Sequence, residues 1–321
     1  MYDWFMAVPI KISWFVVIFF VSNIFCYQAK PDATDFGTIL VDGVERDFIL
    51  YRPGTEKYRA LVFVMHGYTS SASIIMSYSG MNEIALEENF LVVYPQGTLD
   101  QRGNAFFNVG YEFHADVEID DEKFIKHLAM DLVKRHEIDP RNVFATGMSN
   151  GGDMSYLLAC NASDIFSAIA SVAGVMMKKI MDECRPERPL PVFEIHGTED
   201  ELSSFDGDIG NEDGWGPYYD QSTSIKYWVD QNGLEQREQN RMQDKDKNDG
   251  SSIIFERYWD DTKQSEVWFY IVEGGGHNWP GAASKLRWWK NPILWYFLQG
   301  GNRDVDSSRE IWSFFERYLE S

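Results

Sequence analysis

NVFATGMSNGGDMSYLLAC (142–160) is the stretch whose reading decides the fold. Its first half, Val143 to Thr146, is a short run of apolar and β-branched residues, the mark of a buried strand. Its second half, from Gly151 onward, has the composition of a helix. Between them lies Gly147-Met148-Ser149-Asn150-Gly151, a G-x-S-x-G turn. That spacing recurs in ordinary glycine-rich turns, and only its setting gives it meaning. Between a strand and a helix, the glycines permit a sharp turn without Cβ clashes, and the serine oxygen stands clear above the sheet. Gly152 extends the small-residue run, so that the helix start can approach the strand. Ser149 is the candidate nucleophile.

Working outward, ALVFVMHG (60–67) and NFLVVYPQG (89–97) read as buried strands separated by a helical stretch around 73–87. TILVDGVERDFILYRP (38–53) carries Asp42-Gly43 between two apolar runs, a hairpin signal. IDDEKFIKHLAMDLVKRHEI (119–138) has Phe124, Leu128 and Leu132 at helical spacing, with Asp120 or Asp121 as cap. IFSAIASVAG (165–174), PLPVFEIHG (189–197) and SEVWFYIVEGGGH (265–277) continue the series. DSSREIWSFFERYL (306–319) closes it as a helix capped by Ser307 or Ser308. Strands alternating with helices predict an α/β fold: a mostly parallel central sheet with helices on both faces.

A serine hydroxyl needs a base to take its proton, and the base needs an acid to orient it. His277 follows the strand VWFYIVE in a loop of three glycines, Gly274 to Gly276, and is the candidate base. Asp200 ends FEIHGTED (193–200), again a strand followed by a glycine loop, and is the candidate acid. Glu199, Asp206 and Asp208 are its neighbours. The chain order Ser, acid, His is that of serine hydrolases with a strand-turn-helix nucleophile. His66 precedes the serine and is expected to brace its loop. His114, His127 and His136 are expected at the surface. An oxyanion hole requires two backbone N–H groups. The residue after the nucleophile, Asn150, supplies one, and Tyr68, in the loop after an early strand, is the candidate for the other.

The chain has 321 residues with 29 Lys plus Arg against 50 Asp plus Glu, a formal charge of -21. So acidic a surface repels phosphate backbones, and no nucleic-acid partner is expected. Residues 12–26, ISWFVVIFFVSNIFC, follow Lys11 and are short for a bilayer span. They suit the core of a secretory leader, with residues 1–29 as leader and 30–321 as a single catalytic domain. Asp3 and the lack of a small-residue cleavage site near Cys26 leave a retained membrane anchor as the competing reading. Export makes a secreted, extracellular or periplasmic enzyme the expectation. Beyond the leader, Cys160 and Cys184 form an even pair, for which a disulfide is expected in an exported chain. Asp206-Gly207-Asp208 has the opening spacing of a calcium loop but lacks the glutamate at position twelve, so no metal is expected.

In combination, HGYTSSA (66–72), YPQGT (94–98), IDDEKFI (119–125), residues 138–160, IHGTED (195–200), GGGHNWPG (274–281) and NRDVDSSREIWSFF (302–315) resemble the poly(3-hydroxybutyrate) depolymerase and feruloyl esterase family, related to carbohydrate esterase family 1. The resemblance runs in order over about residues 38–319. It implies the α/β-hydrolase fold and ester hydrolysis by Ser149, Asp200 and His277, with no cofactor and no stable protein partner. Feruloyl or acetyl esters of polysaccharide are the expected substrates, on the strength of aromatic residues near the site and no separate polymer-binding domain. Polyhydroxyalkanoate is the alternative. A peptidase or acyltransferase, or a non-catalytic binding protein on the same scaffold, is the reading from another class. Trp279, Trp215 and Tyr218 are the candidate substrate contacts. The chain departs from the family in an acidic segment after Asp200 and in KLRWWKNPILWYF (285–297), whose aromatics would form a lid, a ring platform or local core.

Overall fold

A computed structural model of the chain describes residues 32–55, 57–282 and 301–320. The expected leader (1–29) and the aromatic stretch 285–297 lie outside them.

The described residues begin with a hairpin, β1 (Ala33–Val41) and β2 (Val44–Arg52), turned by Asp42 and Gly43. Both turn residues have positive φ, 51° and 80°, as a two-residue hairpin loop with the twist of its strands requires. There follow β3 (Leu61–Met65), α1 (Ala72–Ser79), α2 (Met81–Glu88) and β4 (Leu91–Pro95). A two-strand ribbon, β5 (Thr98–Leu99) and β6 (Ala105–Phe106), leads to α3 (Asp121–His136). Then come β7 (Val143–Met148), α4 (Asn150–Asn161), β8 (Ala168–Val172), α5 (Lys178–Glu183), β9 (Val192–Gly197) and α6 (Gln221–Asn232). The chain ends with β10 (Gln236–Arg241), β11 (Ser252–Trp259), β12 (Glu266–Glu273) and α7 (Ser307–Phe315).

Among the described residues ten strands form one sheet in the order β1-β2-β4-β3-β7-β8-β9-β12-β11-β10. The central strands β4, β3, β7, β8, β9 and β12 are parallel, and antiparallel pairs extend both edges. Covered on both faces, β3, β4, β7 and β8 are buried along their whole length. One face packs on Phe124, Leu128 and Leu132 of α3, Met154 and Leu158 of α4, and Trp228 of α6. The other packs on Ile75 of α1, Ile84 of α2 and Trp312, Phe314 and Phe315 of α7. This is the α/β architecture expected from the alternation of elements.

The differences are local. The helix expected over 73–87 is two helices, because Gly80 takes a left-handed φ of 67° between them. Asp120 caps α3 by accepting from the Lys123 N–H at 2.8 Å, whereas Asp121 turns inward to a buried ion pair with Arg46. The cap of α7 is Asp306, not Ser307 or Ser308; it accepts from the Ser308 N–H, and both serines are buried. The polar strand β10 and its partner β11 had no apolar alternation strong enough to announce them. Cys160, at the end of α4, is bonded to Cys184, just after α5, with Cα atoms 4.8 Å apart. The expected disulfide is present, and it ties α4 to the segment leading into β9.

Candidate active site

Ser149 sits between β7 and α4 with φ 55° and ψ -123°, a conformation costly to any residue with a side chain. The glycines around it explain how the turn is tolerated. A Cβ on Gly147 would lie 2.4 Å from the Gly151 carbonyl, and one on Gly151 would lie 2.3 Å from the Met65 carbonyl oxygen. Strand and helix therefore approach as closely as their backbones allow, and Ser149 is pushed out at the carboxyl end of the sheet.

The loop after β3 runs beside this turn: a Cβ on Gly67 would sit 3.3 Å from that of Ser149. No hydrogen bond within the described residues engages the backbone N–H of Tyr68 or of Asn150. Asn150 begins α4, whose first N–H groups are unpaired and carry the positive end of the helix dipole. Its side chain exchanges two hydrogen bonds with Phe107, accepting from N–H at 2.7 Å and donating to the carbonyl at 2.9 Å. His66 is fully buried; Nδ1 donates to the Gly67 carbonyl at 2.8 Å, and Nε2 accepts from the Gly97 N–H at 3.0 Å. Burial holds it near pKa 4, so it stays neutral and ties the loop in place, as expected.

Asp200 and His277 follow the adjacent parallel strands β9 and β12. His277 Nδ1 donates to Asp200 Oδ2 at 2.8 Å, and Asp200 Oδ1 accepts the N–H groups of Leu202 and Ser203 at 2.9 and 2.8 Å. With the proton on Nδ1, Nε2 is left as an acceptor, the form a base requires. Burial works to raise the Asp200 pKa, but the hydrogen bond and charge of His277, with His196 and the Ser203 N–H, carry it below the usual carboxylate value. Of the neighbouring acids, Asp208 accepts from the Glu212 and Asp213 N–H groups, whereas Glu199 and Asp206 are exposed. Among the described residues no group of three His, Cys, Asp or Glu side chains is arranged to hold a metal.

Ser149, Tyr68 and His277 line one cavity of about 350 Å³. Helix α1 gives it Ile74, Ile75 and Tyr78. Its other lining side chains include Tyr111, Asp153, Val175, Trp215 and Tyr218. Trp215 meets Tyr68 and Tyr111 edge to face, with ring centroids 5.7 and 5.2 Å apart. The wall is therefore largely apolar and aromatic. It includes two of the three expected substrate contacts, Trp215 and Tyr218.

Trp279 is the exception. It is two residues from His277, but only 1% exposed and part of the core. Its N–H donates to the Tyr78 hydroxyl and Nε1 to Ser308 Oγ, so it stands behind Tyr78 instead of facing the cavity. His114, expected at the surface, is also buried. Its ring lies 3.8 Å from that of Phe106, with Nε2 3.4 Å from the Asp100 carboxylate that also accepts the Tyr68 hydroxyl. His127 and His136 are half-buried on α3.

Two buried acids beside the site, Asp153 and Glu194, were not anticipated. Asp153, on the first turn of α4, accepts from the Tyr111 hydroxyl at 2.6 Å and the Val175 N–H at 2.7 Å; burial pushes its pKa up to about 7. Glu194 lies inside β9. Its signal was present in the sequence: a lone carboxylate within PLPVFEIHG, at a position where a buried strand admits charge only with partners.

Residues 76–206, which include Ser149 and Asp200, match the prolyl oligopeptidase family. A Nocardia uniformis subsp. tsuyamanensis protein named as an esterase, NocK, is 28% identical over 262 residues, covering 78% of this chain and 75% of its own length. Feruloyl esterase B of Piromyces equi is 28% identical over 182 residues, 56% of this chain; the match spans 33% of that longer protein. The acetyl xylan esterase from Aspergillus awamori superposes with a TM-score of 0.55 at 15% identity, covering 83% of this chain and 99% of that one. The α/β-hydrolase fold and the resemblance to esterases are both borne out.

Proposed function

We propose that this protein is an exported serine esterase that hydrolyses carboxylic esters, with Ser149 as nucleophile, His277 as base and Asp200 as the residue orienting it. The observation that carries the reading is the opening of the strained Ser149 turn and the Asp200–His277 pair onto one apolar cavity. His277 Nε2 takes the Ser149 proton as the oxygen attacks the ester carbonyl. The N–H groups of Tyr68 and Asn150 stabilise the charge that develops on the carbonyl oxygen. The alcohol leaves with the proton returned from His277. Water then repeats the sequence on the acyl-enzyme and frees the acid.

For the acyl group we favour hydroxycinnamoyl, with acetyl second, on polysaccharide. Tyr68, Tyr111 and Trp215 offer flat faces and edges to a planar aryl ring, and the similarity to a feruloyl esterase supports the same choice. The leader-like residues 12–26 and the Cys160–Cys184 disulfide support export. The test is a panel of methyl ferulate, p-nitrophenyl acetate, hydroxybutyrate oligomers and a peptide. Methyl ferulate should give the highest kcat/KM among the non-activated substrates. Faster cleavage of the oligomers or of the peptide would overturn the assignment.

A further inference from the structure

The acid of this triad has a second imidazole on the same oxygen. Glu194 and His196 are two residues apart on β9 and so project from the same face of the strand. Both are buried, at 0% and 1% exposure. His196 Nδ1 lies 3.1 Å from Glu194 Oε1. Its Nε2 lies 2.7 Å from the Ser203 carbonyl oxygen and 3.5 Å from Asp200 Oδ2, the atom that holds His277. On the far side, Glu194 Oε2 accepts the Tyr156 hydroxyl at 2.8 Å. A continuous line therefore runs from the buried Tyr156, Glu194, His196 and Asp200 to His277 at the cavity.

The chemistry of the partners constrains the protons. A carbonyl oxygen only accepts, so Nε2 of His196 must carry hydrogen. Nδ1 faces a carboxylate that is already accepting from Tyr156. The other titratable groups packed around the pair are Asp153 and Tyr156 on α4, with Tyr218, in the loop beyond Asp200, acting on Asp200; Ser171 of β8 also faces Glu194. None of these is a cation. Burial opposes a charged imidazole here, yet the Glu194 hydrogen bond and charge, followed by Asp200 and the Ser203 carbonyl, raise His196 above its ordinary value. Burial works to raise the Glu194 carboxyl as well, against the hydrogen bond and charge of His196, and a protonated histidine is the cation that acids buried this deeply require if they are to stay ionised.

We propose that His196, held by Glu194, is a positioning residue: a cationic imidazole that keeps Asp200 ionised and aimed at His277 while the proton moves between Ser149 and His277. The inference rests on the triad proposed above. It assigns no contact with substrate to either residue. When His277 becomes imidazolium, Asp200 is flanked by two cations, and proton transfer onto the aspartate is suppressed. The same cation partly neutralises Asp200, which keeps the base from protonating too readily. Removing it therefore moves the acid limb of the kcat/KM profile to higher pH.

Two measurements test this. In the wild-type protein labelled with 15N-histidine, the His196 ring is expected to show both nitrogens protonated at neutral pH, with assignment by comparison with His196→Gln. A neutral His196 ring at that pH overturns the proposal, and this reading needs no variant to be active. In Glu194→Gln, nearly the same shape without the charge, the acid limb should rise by roughly one pH unit with KM nearly unchanged. An unmoved limb in a folded Glu194→Gln protein also overturns it. Failure of the triad itself looks different: fluorophosphonate labelling would then persist in Ser149→Ala, whatever the state of His196.

Discussion

Replacing Asp153 with asparagine should flatten the dependence of stability on pH between about 4 and 7. The carboxyl is 2% exposed and receives two hydrogen bonds, from Tyr111 and Val175. Burial nevertheless raises it from 3.8 to about 7, since two donors do not replace the water it has lost. A raised native value means that the folded protein holds a proton which the unfolded chain has already released. The stabilisation is complete below the unfolded value, is lost as pH rises through the interval, and levels off above the native value. At about 1.4 kcal/mol for each pH unit, a rise from 3.8 to about 7 amounts to about 4 kcal/mol. Asparagine is neutral throughout and occupies the same space. Urea unfolding of both proteins, disulfide intact, at several values from about pH 4 to about pH 8 gives the comparison. The variant should gain about 4 kcal/mol on the wild type across that range. Parallel curves would refute the reasoning, because the titrating groups remote from Asp153 cancel in the difference and its own rise is the largest contribution left.

Trp215→Ala should raise KM for methyl ferulate roughly tenfold, on the scale of one lost aromatic contact, and leave p-nitrophenyl acetate nearly unaffected; equal losses on both substrates would place Trp215 in the scaffold alone. The double substitution Cys160→Ala and Cys184→Ala opens a loop with a sequence separation of 24 and should cost about 3 kcal/mol in urea unfolding. Unchanged stability would mean that the α4–α5 segment is held by packing.

What the sequence made legible was whatever depends on neighbours in the chain. The Asp42-Gly43 hairpin, the buried runs of β3 and β4, and the strand-turn-helix around Ser149 all follow from residues a few positions apart. The convergence of Asp200 and His277 could be inferred because both follow strand ends with glycines beside them, and parallel strands bring such ends to one edge. What could not be read was orientation set by tertiary packing. Trp279 is near His277 in sequence, but its indole finds Ser308 on α7 and turns into the core. His114 looked like a loop histidine and is enclosed by Phe106 and Asp100. Asp306 outcompetes two serines as cap of α7, because Ser308 Oγ is drawn to the Ser79 carbonyl. Glu194 and His196 stood in plain view within an apolar strand, but only the structure shows that His196 lies between Glu194 and Asp200.

Intact-mass and peptide mapping after treatment with a fluorophosphonate, alongside methyl ferulate kinetics for wild type, Ser149→Ala and His277→Ala, tests the central claim most directly. The account predicts one phosphonyl adduct, located on Ser149 and absent from Ser149→Ala, with turnover in both variants reduced by a factor on the order of 10⁴ or more. An adduct on another residue, or a His277→Ala enzyme that works nearly as well as the wild type, would contradict it.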